Sequence, residues 1–185
     1  MRVISGISKG HKLKSPKGLS TRPTEDKIKE SVFNILGTIN REAKILDLFA
    51  GSGSIGIEFL SRGAKECYFI DNSQESISTI KENLNHTKLG DKAKVFKGDA
   101  LKILDYFNKN NLKFSYIYLD PPFKNHKLLL NVVQSIVKKD ILENGGLLIL
   151  EHENNLLLDD ELLSLIKEDK RKYGSKSITF YKENL

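Results

Sequence analysis

The sequence predicts an α/β fold: a mostly parallel sheet with helices on both faces, preceded by a small N-terminal hairpin-and-helix appendage and closed by an antiparallel hairpin. Three observations carry this. From residue 44, short runs that are apolar at consecutive positions alternate with segments apolar at helical spacing. Strands of that kind are buried on both faces, and the helices between them supply the covering layers and the crossovers that parallel pairing needs. The alternation ends in "KRKYGSKSITFYKE", where two strand-like pieces flank Gly174 and Ser175.

The elements follow in order. "RVISG" and "HKLKSP" alternate loosely around "ISKG", the pattern of a hairpin or an edge ribbon. "SPKGLSTRP", with Pro16, Gly18 and Pro23, has the composition of a linker. Thr24 is placed to cap a helix with Glu25 and Asp26 in its first turn, and Ile28, Val32, Ile35 and Leu36 recur at helical spacing until Gly37. Residues 1–43 therefore form an appendage whose helix packs on a main domain of residues 44–185. Within that domain the expected order is strand "KILDLFA", helix 54–62, strand "ECYFID", helix 73–85, strand "AKVFKGD" and helix 100–107. Strand "FSYIYLD", helix 126–139, strand "GGLLILEHE" and a helix at 159–167 complete it before the final hairpin.

Composition narrows the function classes. A chain of 185 residues with 39% hydrophobic and 29% charged content is an ordinary globular protein of one domain plus an appendage. No apolar run approaches the roughly 18 residues that cross a bilayer, and "MRVISGISKG" lacks the apolar block of a signal peptide, so the expected location is cytoplasmic. Cys67, the single cysteine, sits in an apolar strand and reads as a small buried hydrophobe. His11, His86, His126 and His152 show no metal-ligand spacing, so no metal is expected and they read as surface residues. The net charge of +6 resides in residues 1–22, which carry Arg2, Lys9, Lys12, Lys14, Lys17 and Arg22 and no acid. The remaining 24 basic residues match the 24 acidic ones. Such a segment suits a polyanion, RNA or DNA; a solvated, partly disordered basic tail is the plainer alternative.

In an open parallel sheet, ligands bind outside the carboxyl ends of the strands. Those ends hold Asp47 to Gly53, Asp71, Asp99, and Asp120 to Phe123. Gly51, Gly53 and Gly56 have the Gly-x-Gly-x-x-Gly spacing that turns a strand tightly into a helix and lets a ligand approach the backbone. Asp47 before them opposes a dinucleotide's pyrophosphate and attracts S-adenosylmethionine, which carries a sulfonium and an ammonium but no phosphate. Asp71, 20 residues after Gly51, suits two ribose hydroxyls; it could equally be a capping acid, with Asn72 and Glu75 a capping pair. Asp99 suits an exocyclic adenine amine, with the Ala100 amide beside it. In "DPPF", Asp120, Pro121 and Pro122 leave an acceptor-only rim next to the Phe123 ring. A planar base with an exocyclic amine fits such a rim.

"DLFAGSGSIGIE", "FIDNS", "GDA" and "DPPF", in this order, resemble the motifs of class I S-adenosylmethionine-dependent methyltransferases acting on amino nitrogens. "MRVISGISKGHKLKSPKG", "TRPTEDKIKESVFNIL" and the closing "KYGSKSITFYKE" further resemble the bacterial 16S ribosomal RNA guanine-N2 methyltransferases, the RsmD-like family. The resemblance implies a Rossmann-like fold with a mostly parallel seven-stranded sheet. It implies Asp47, Phe49, Ala50, Gly51, Ser52, Gly53 and Gly56 around the methionine moiety of S-adenosylmethionine, Asp71 and Asn72 at the ribose, and Asp99 and Ala100 near adenine. Asp120, Pro121, Pro122 and Phe123 then meet the target amine. The basic segment, through Arg2, Lys9, Lys12 and Lys14 with Arg22 and Lys124 nearby, would hold 16S rRNA within the small ribosomal subunit or an assembly intermediate. S-adenosylhomocysteine is the expected product and a monomer the expected state. A DNA adenine-N6 or protein glutamine methyltransferase shares the same motifs, and a non-enzymatic RNA-binding module would explain the basic arm alone.

Overall fold

A computed structural model of the chain describes residues 1–16, 23–122 and 125–183. The chain divides into two compact units, Met1–Gly98 and Asp99–Leu185.

In the first unit, α1 (Pro23–Leu36) is followed by β1 (Lys44–Leu48), α2 (Ser54–Ser61), β2 (Glu66–Asp71), α3 (Gln74–Thr87) and β3 (Ala93–Lys97). The strand order β3-β2-β1 is parallel throughout, with Asp47 level with Phe69 and Asp71 level with Lys97. α2 and α3 supply the crossovers that parallel pairing requires. Ile45, Leu46, Leu48, Phe69 and Ile70 form the sheet's core with Ile57 and Leu60 of α2. The buried face of α1 is Ile28, Lys29, Val32 and Phe33, whereas Ile35, expected on that face, is exposed. Pro23 opens this helix, where its missing N–H costs nothing; the expected Thr24 cap lies outside the described side chains.

The expected N-terminal hairpin is reduced to one bridge pair, Arg2 with Lys12. Val3 N–H donates to His11 O, Gly10 N–H to Val3 O and Leu13 N–H to Met1 O. Residues 1–16 are nevertheless not a solvated tail. Val3 and Leu13 are buried, and Ile7 N–H donates to Ser61 O at 2.8 Å on α2. A Cβ on Gly6 would lie 1.8 Å from that same carbonyl oxygen, so only glycine permits the approach.

The second unit holds α4 (Ala100–Lys109), β4 (Phe114–Leu119), α5 (His126–Lys138), β5 (Leu142–Glu153), β6 (Glu161–Leu162), β7 (Leu165–Tyr173) and β8 (Lys176–Glu183). Its strand order is β4-β5-β8-β7-β6, with β4 and β5 parallel and the remaining pairs antiparallel. The closing hairpin is therefore present as β7 and β8, turning at Gly174. The described strands number eight rather than seven, because β6 is an additional two-residue strand.

The helix expected at 159–167 does not form. That stretch is β6, a turn in which Leu163 takes a positive φ of 60°, and the start of β7. A short apolar run fits either period, and here pairing with β8 along the strand, which buries Leu165 completely, outweighs the helical spacing.

Candidate functional site

The glycine loop grows out of β1. Phe49 leaves the strand with φ 62°, a left-handed conformation that costs a bulky residue of order 1 kcal/mol or more and that clusters at ligand sites. Ala50 N–H then donates to Ile70 O at 2.9 Å, tying the loop to the end of β2. Gly53 (φ 75°) starts α2 without a side-chain cap. At Gly56 the constraint is packing, since a Cβ there would lie 2.3 Å from the Phe69 ring and 2.6 Å from Cys67 Sγ. The third glycine of the spacing thus lets α2 lie on β2.

Two carboxylates organise this loop. Asp71 accepts Gly51 N–H on Oδ2 at 2.9 Å and Ser73 N–H on Oδ1 at 2.8 Å. A carboxylate has about four lone-pair sites, so each oxygen retains capacity for a hydroxyl donor. Asp47, only 2% exposed, accepts Gly56 N–H at 3.0 Å. Burial pushes its pKa up to about 8, with the Asp71 charge adding to the rise and the Gly56 N–H opposing it. The carboxyl is thus turned toward α2, and burial favours its protonated form. Ala50 and Gly51 are half-buried and Ser52 is buried.

Some expected roles move. The cap of α3 is Ser73, which accepts Ser76 N–H at 3.4 Å, and not Asn72, which is exposed. Asp99, also exposed, caps α4 by accepting Leu101 N–H at 3.0 Å and Lys102 N–H at 3.1 Å through Oδ1, while Ala100 is buried in the first turn of that helix.

In the second unit the Asp120 corner walls a pocket. Asp120, Pro121 and Pro122 line it with Asn125, His126, Leu129, Glu151, His152 and Glu153. Asn125 caps α5, accepting Leu128 N–H at 3.0 Å. Glu151 accepts the Tyr118 hydroxyl at 2.7 Å and pairs with Lys176. His126 Nε2 lies 3.5 Å from Glu153 Oε2. Phe123 and Lys124 lie outside the described residues, as do Lys17 and Arg22. His152 corrects the surface assignment: it is buried in β5, with Nε2 2.8 Å from Thr179 Oγ1, and burial lowers its pKa.

Of the basic set, Arg2, Lys9, Lys12 and Lys14 are exposed, and Lys14 pairs with Glu82 at 2.8 Å. Beneath them lies a buried polar network that the sequence reading missed. Glu58, fully buried on α2, accepts Ile4 N–H at 2.8 Å, Ser5 N–H at 2.9 Å and Arg62 Nε at 2.8 Å, with Lys29 Nζ at 3.6 Å. Burial pushes the Lys29 ammonium down, and Glu58 opposes that shift. A signal did exist in the sequence, because Glu58 is the only charged residue in the apolar helix "SIGIEFLS".

A family model described as "Conserved hypothetical protein 95" matches residues 1–182. The chain belongs to that family. One relative, "Putative rRNA methyltransferase YlbH" of Bacillus subtilis, is 42% identical over 99% of both chains. Another, "Ribosomal RNA small subunit methyltransferase D" of Haemophilus influenzae, is 33% identical over 91% of this chain and 87% of its own length. Among solved structures, "Putative methyltransferase yhhF from Escherichia coli" superposes with a TM-score of 0.83 at 27% identity, covering 99% of this chain and 97% of that one. The methyltransferase fold expected of the family member is therefore the fold the chain has.

Proposed function

We propose that this chain is an S-adenosylmethionine-dependent rRNA methyltransferase that methylates the exocyclic N2 of a guanine in 16S rRNA. The observation that carries the finer assignment is the lining of the pocket at the end of β4. Asp120, Pro121 and Pro122 line it together with Glu151 and Glu153. A lining that includes three carboxylates suits an amine that presents two N–H bonds. The relatives' names, which specify ribosomal RNA and in one case its small subunit, support the substrate class.

The first unit fits a phosphate-free nucleoside. Asp71 retains acceptor capacity for a ribose, and residues 45–61 contain no Lys or Arg to neutralise a phosphate. Asp47, Phe49, Ala50, Gly51, Ser52, Gly53 and Gly56 would hold the methionine moiety, Asp71 and Asn72 the ribose, and Asp99 and Ala100 the adenine. When bound, S-adenosylmethionine supplies a methyl group on a positively charged sulfur. Asp120 and the Pro121 carbonyl accept the two N–H bonds of the target amine, so that its lone pair, otherwise delocalised into the ring, is turned toward that methyl. The N–C bond forms as the S–C bond breaks; the charge passes to nitrogen, whose proton then leaves to Asp120 or water. Catalysis is chiefly positioning, an effect that reaches about 7–11 kcal/mol in favourable cases. Exposed Arg2, Lys9, Lys12 and Lys14, with Arg22 and Lys124, hold RNA phosphates, and residues 1–43 serve as the RNA-binding appendage.

The test is transfer of labelled methyl from S-adenosylmethionine to ribosomal RNA, to 30S particles and to DNA in parallel, followed by nucleoside analysis. N2-methylguanosine in 16S rRNA is expected. N6-methyladenine in DNA, or no transfer to either nucleic acid, overturns the assignment.

A further inference from the structure

We infer that Asn83, on α3, is a positioning residue that locks the N-terminal arm to the cofactor loop, so that a ligand seated in the loop also orders the arm. The inference rests on the reading of the loop as the S-adenosylmethionine site. Asn83 is 1% exposed, and its side-chain amide makes three hydrogen bonds. Oδ1 accepts Lys14 N–H at 2.8 Å, while Nδ2 donates to Lys14 O at 3.0 Å and to Ser52 O at 2.9 Å. The side chain therefore exchanges both hydrogen bonds with Lys14 as a neighbouring strand would, and spends its remaining proton on the residue between Gly51 and Gly53.

A second latch sits on the other side of Gly53. Lys29 Nζ donates to Arg2 O at 2.7 Å and to Ser54 Oγ at 2.9 Å. Each end of the arm is thus held to a residue flanking the left-handed turn at Gly53, through side chains buried from water. Buried polar groups keep their partners because losing one costs the full desolvation of the other. A shift of the Gly53 turn is therefore carried into the arm rather than absorbed at the surface, and linkage makes the effect reciprocal for whatever binds the arm.

Hydrogen exchange of the full chain with and without S-adenosylhomocysteine tests this. In the wild type the ligand should slow exchange in residues 49–56 and also in the arm, including the Ile4, Ser5 and Lys14 amides, by about fivefold or more, the lower end of typical coupling. In Asn83→Ala the slowing should persist in the loop and vanish around Lys14. Asn83→Asp, which keeps the acceptor for Lys14 N–H but removes both donations, serves if the alanine variant does not fold. A merely structural Asn83 would raise exchange generally and leave the ligand-dependent difference in the arm intact. That result, or a wild-type arm unresponsive to a ligand that does protect the loop, overturns the inference. Absence of protection in the loop itself removes the cofactor reading first, and the inference with it.

Discussion

The Asp47 carboxyl accepts the main-chain N–H of Gly56 at 3.0 Å inside the first unit, and burial raises its pKa from 3.8 to about 8. Below about pH 4 both folded and unfolded chains carry this proton; between about 4 and 8 only the unfolded chain releases it, so stability falls as pH rises through that window. A shift of this size corresponds to roughly 6 kcal/mol. Asp47→Asn preserves an acceptor for Gly56 and removes the titration. Its denaturant midpoint relative to wild type should therefore improve steadily from pH 5 to pH 8. Parallel curves for the two proteins would show that Asp47 is ionised in the folded chain.

The same shift bears on the cofactor. Under the proposed function the ammonium and sulfonium favour ionised Asp47, so S-adenosylmethionine binding should release a proton and tighten as pH rises toward about 8. Calorimetry in buffers of different ionisation enthalpy measures that release, and Asp47→Asn should abolish it.

Gly56→Ala places a methyl 2.3 Å from the Phe69 ring. Overpacking of this kind typically costs about 1–3 kcal/mol. Combining it with Phe69→Leu should recover part of the loss, and a double-mutant cycle by chemical denaturation quantifies the coupling. Additive effects would place the damage elsewhere in the loop.

The parallel strands and α2 to α5 were legible because their apolar runs are short, consecutive and separated by glycine or polar turns. The stretch 159–167 was not, because its helical spacing competes with long-range pairing to β8 that no local pattern encodes. At the candidate site, the strand-end acids and glycines were readable as residue types. What each carboxylate touches was not: Asp99 caps α4, and Asp47 turns toward Gly56. Lys29 and Asn83 are invisible at that level because a buried polar side chain looks like any surface one until the arm that covers it is placed.

The arm's charges and its structural bonds are separable. From the sequence, deleting residues 1–15 should weaken RNA binding and leave cofactor affinity largely intact. The deletion also removes the Ile4 and Ser5 amides from buried Glu58 and the Arg2 carbonyl from Lys29. Leaving a buried group without its hydrogen-bond partner typically costs about 1–3 kcal/mol, so the truncated chain should lose thermal stability and cofactor affinity together. Replacing Arg2, Lys9 and Lys12 by Gln keeps every main-chain bond. That variant should melt as wild type does and bind S-adenosylhomocysteine equally well, with the salt dependence of RNA binding reduced by about 0.7–0.9 per cation removed. An unchanged slope would place the RNA on another surface.

Asp120 follows β4 and borders the same pocket as Glu151 and Glu153. If its carboxylate accepts the target amine, Asp120→Ala should lower kcat by about 100-fold or more, the scale of losing one transition-state hydrogen bond in a positioned site. Asp120→Asn, which keeps one acceptor oxygen, should fall between alanine and wild type. Both changes leave the residues of the glycine loop and the basic arm as they are, and S-adenosylhomocysteine and RNA affinities should stay within about twofold, which is under 0.5 kcal/mol. Single-turnover methyl transfer alongside the two binding measurements separates these quantities. Near-full transfer by the alanine variant would remove Asp120 from the chemistry, whereas a matched loss of RNA affinity would make it a substrate contact without a part in the methyl step.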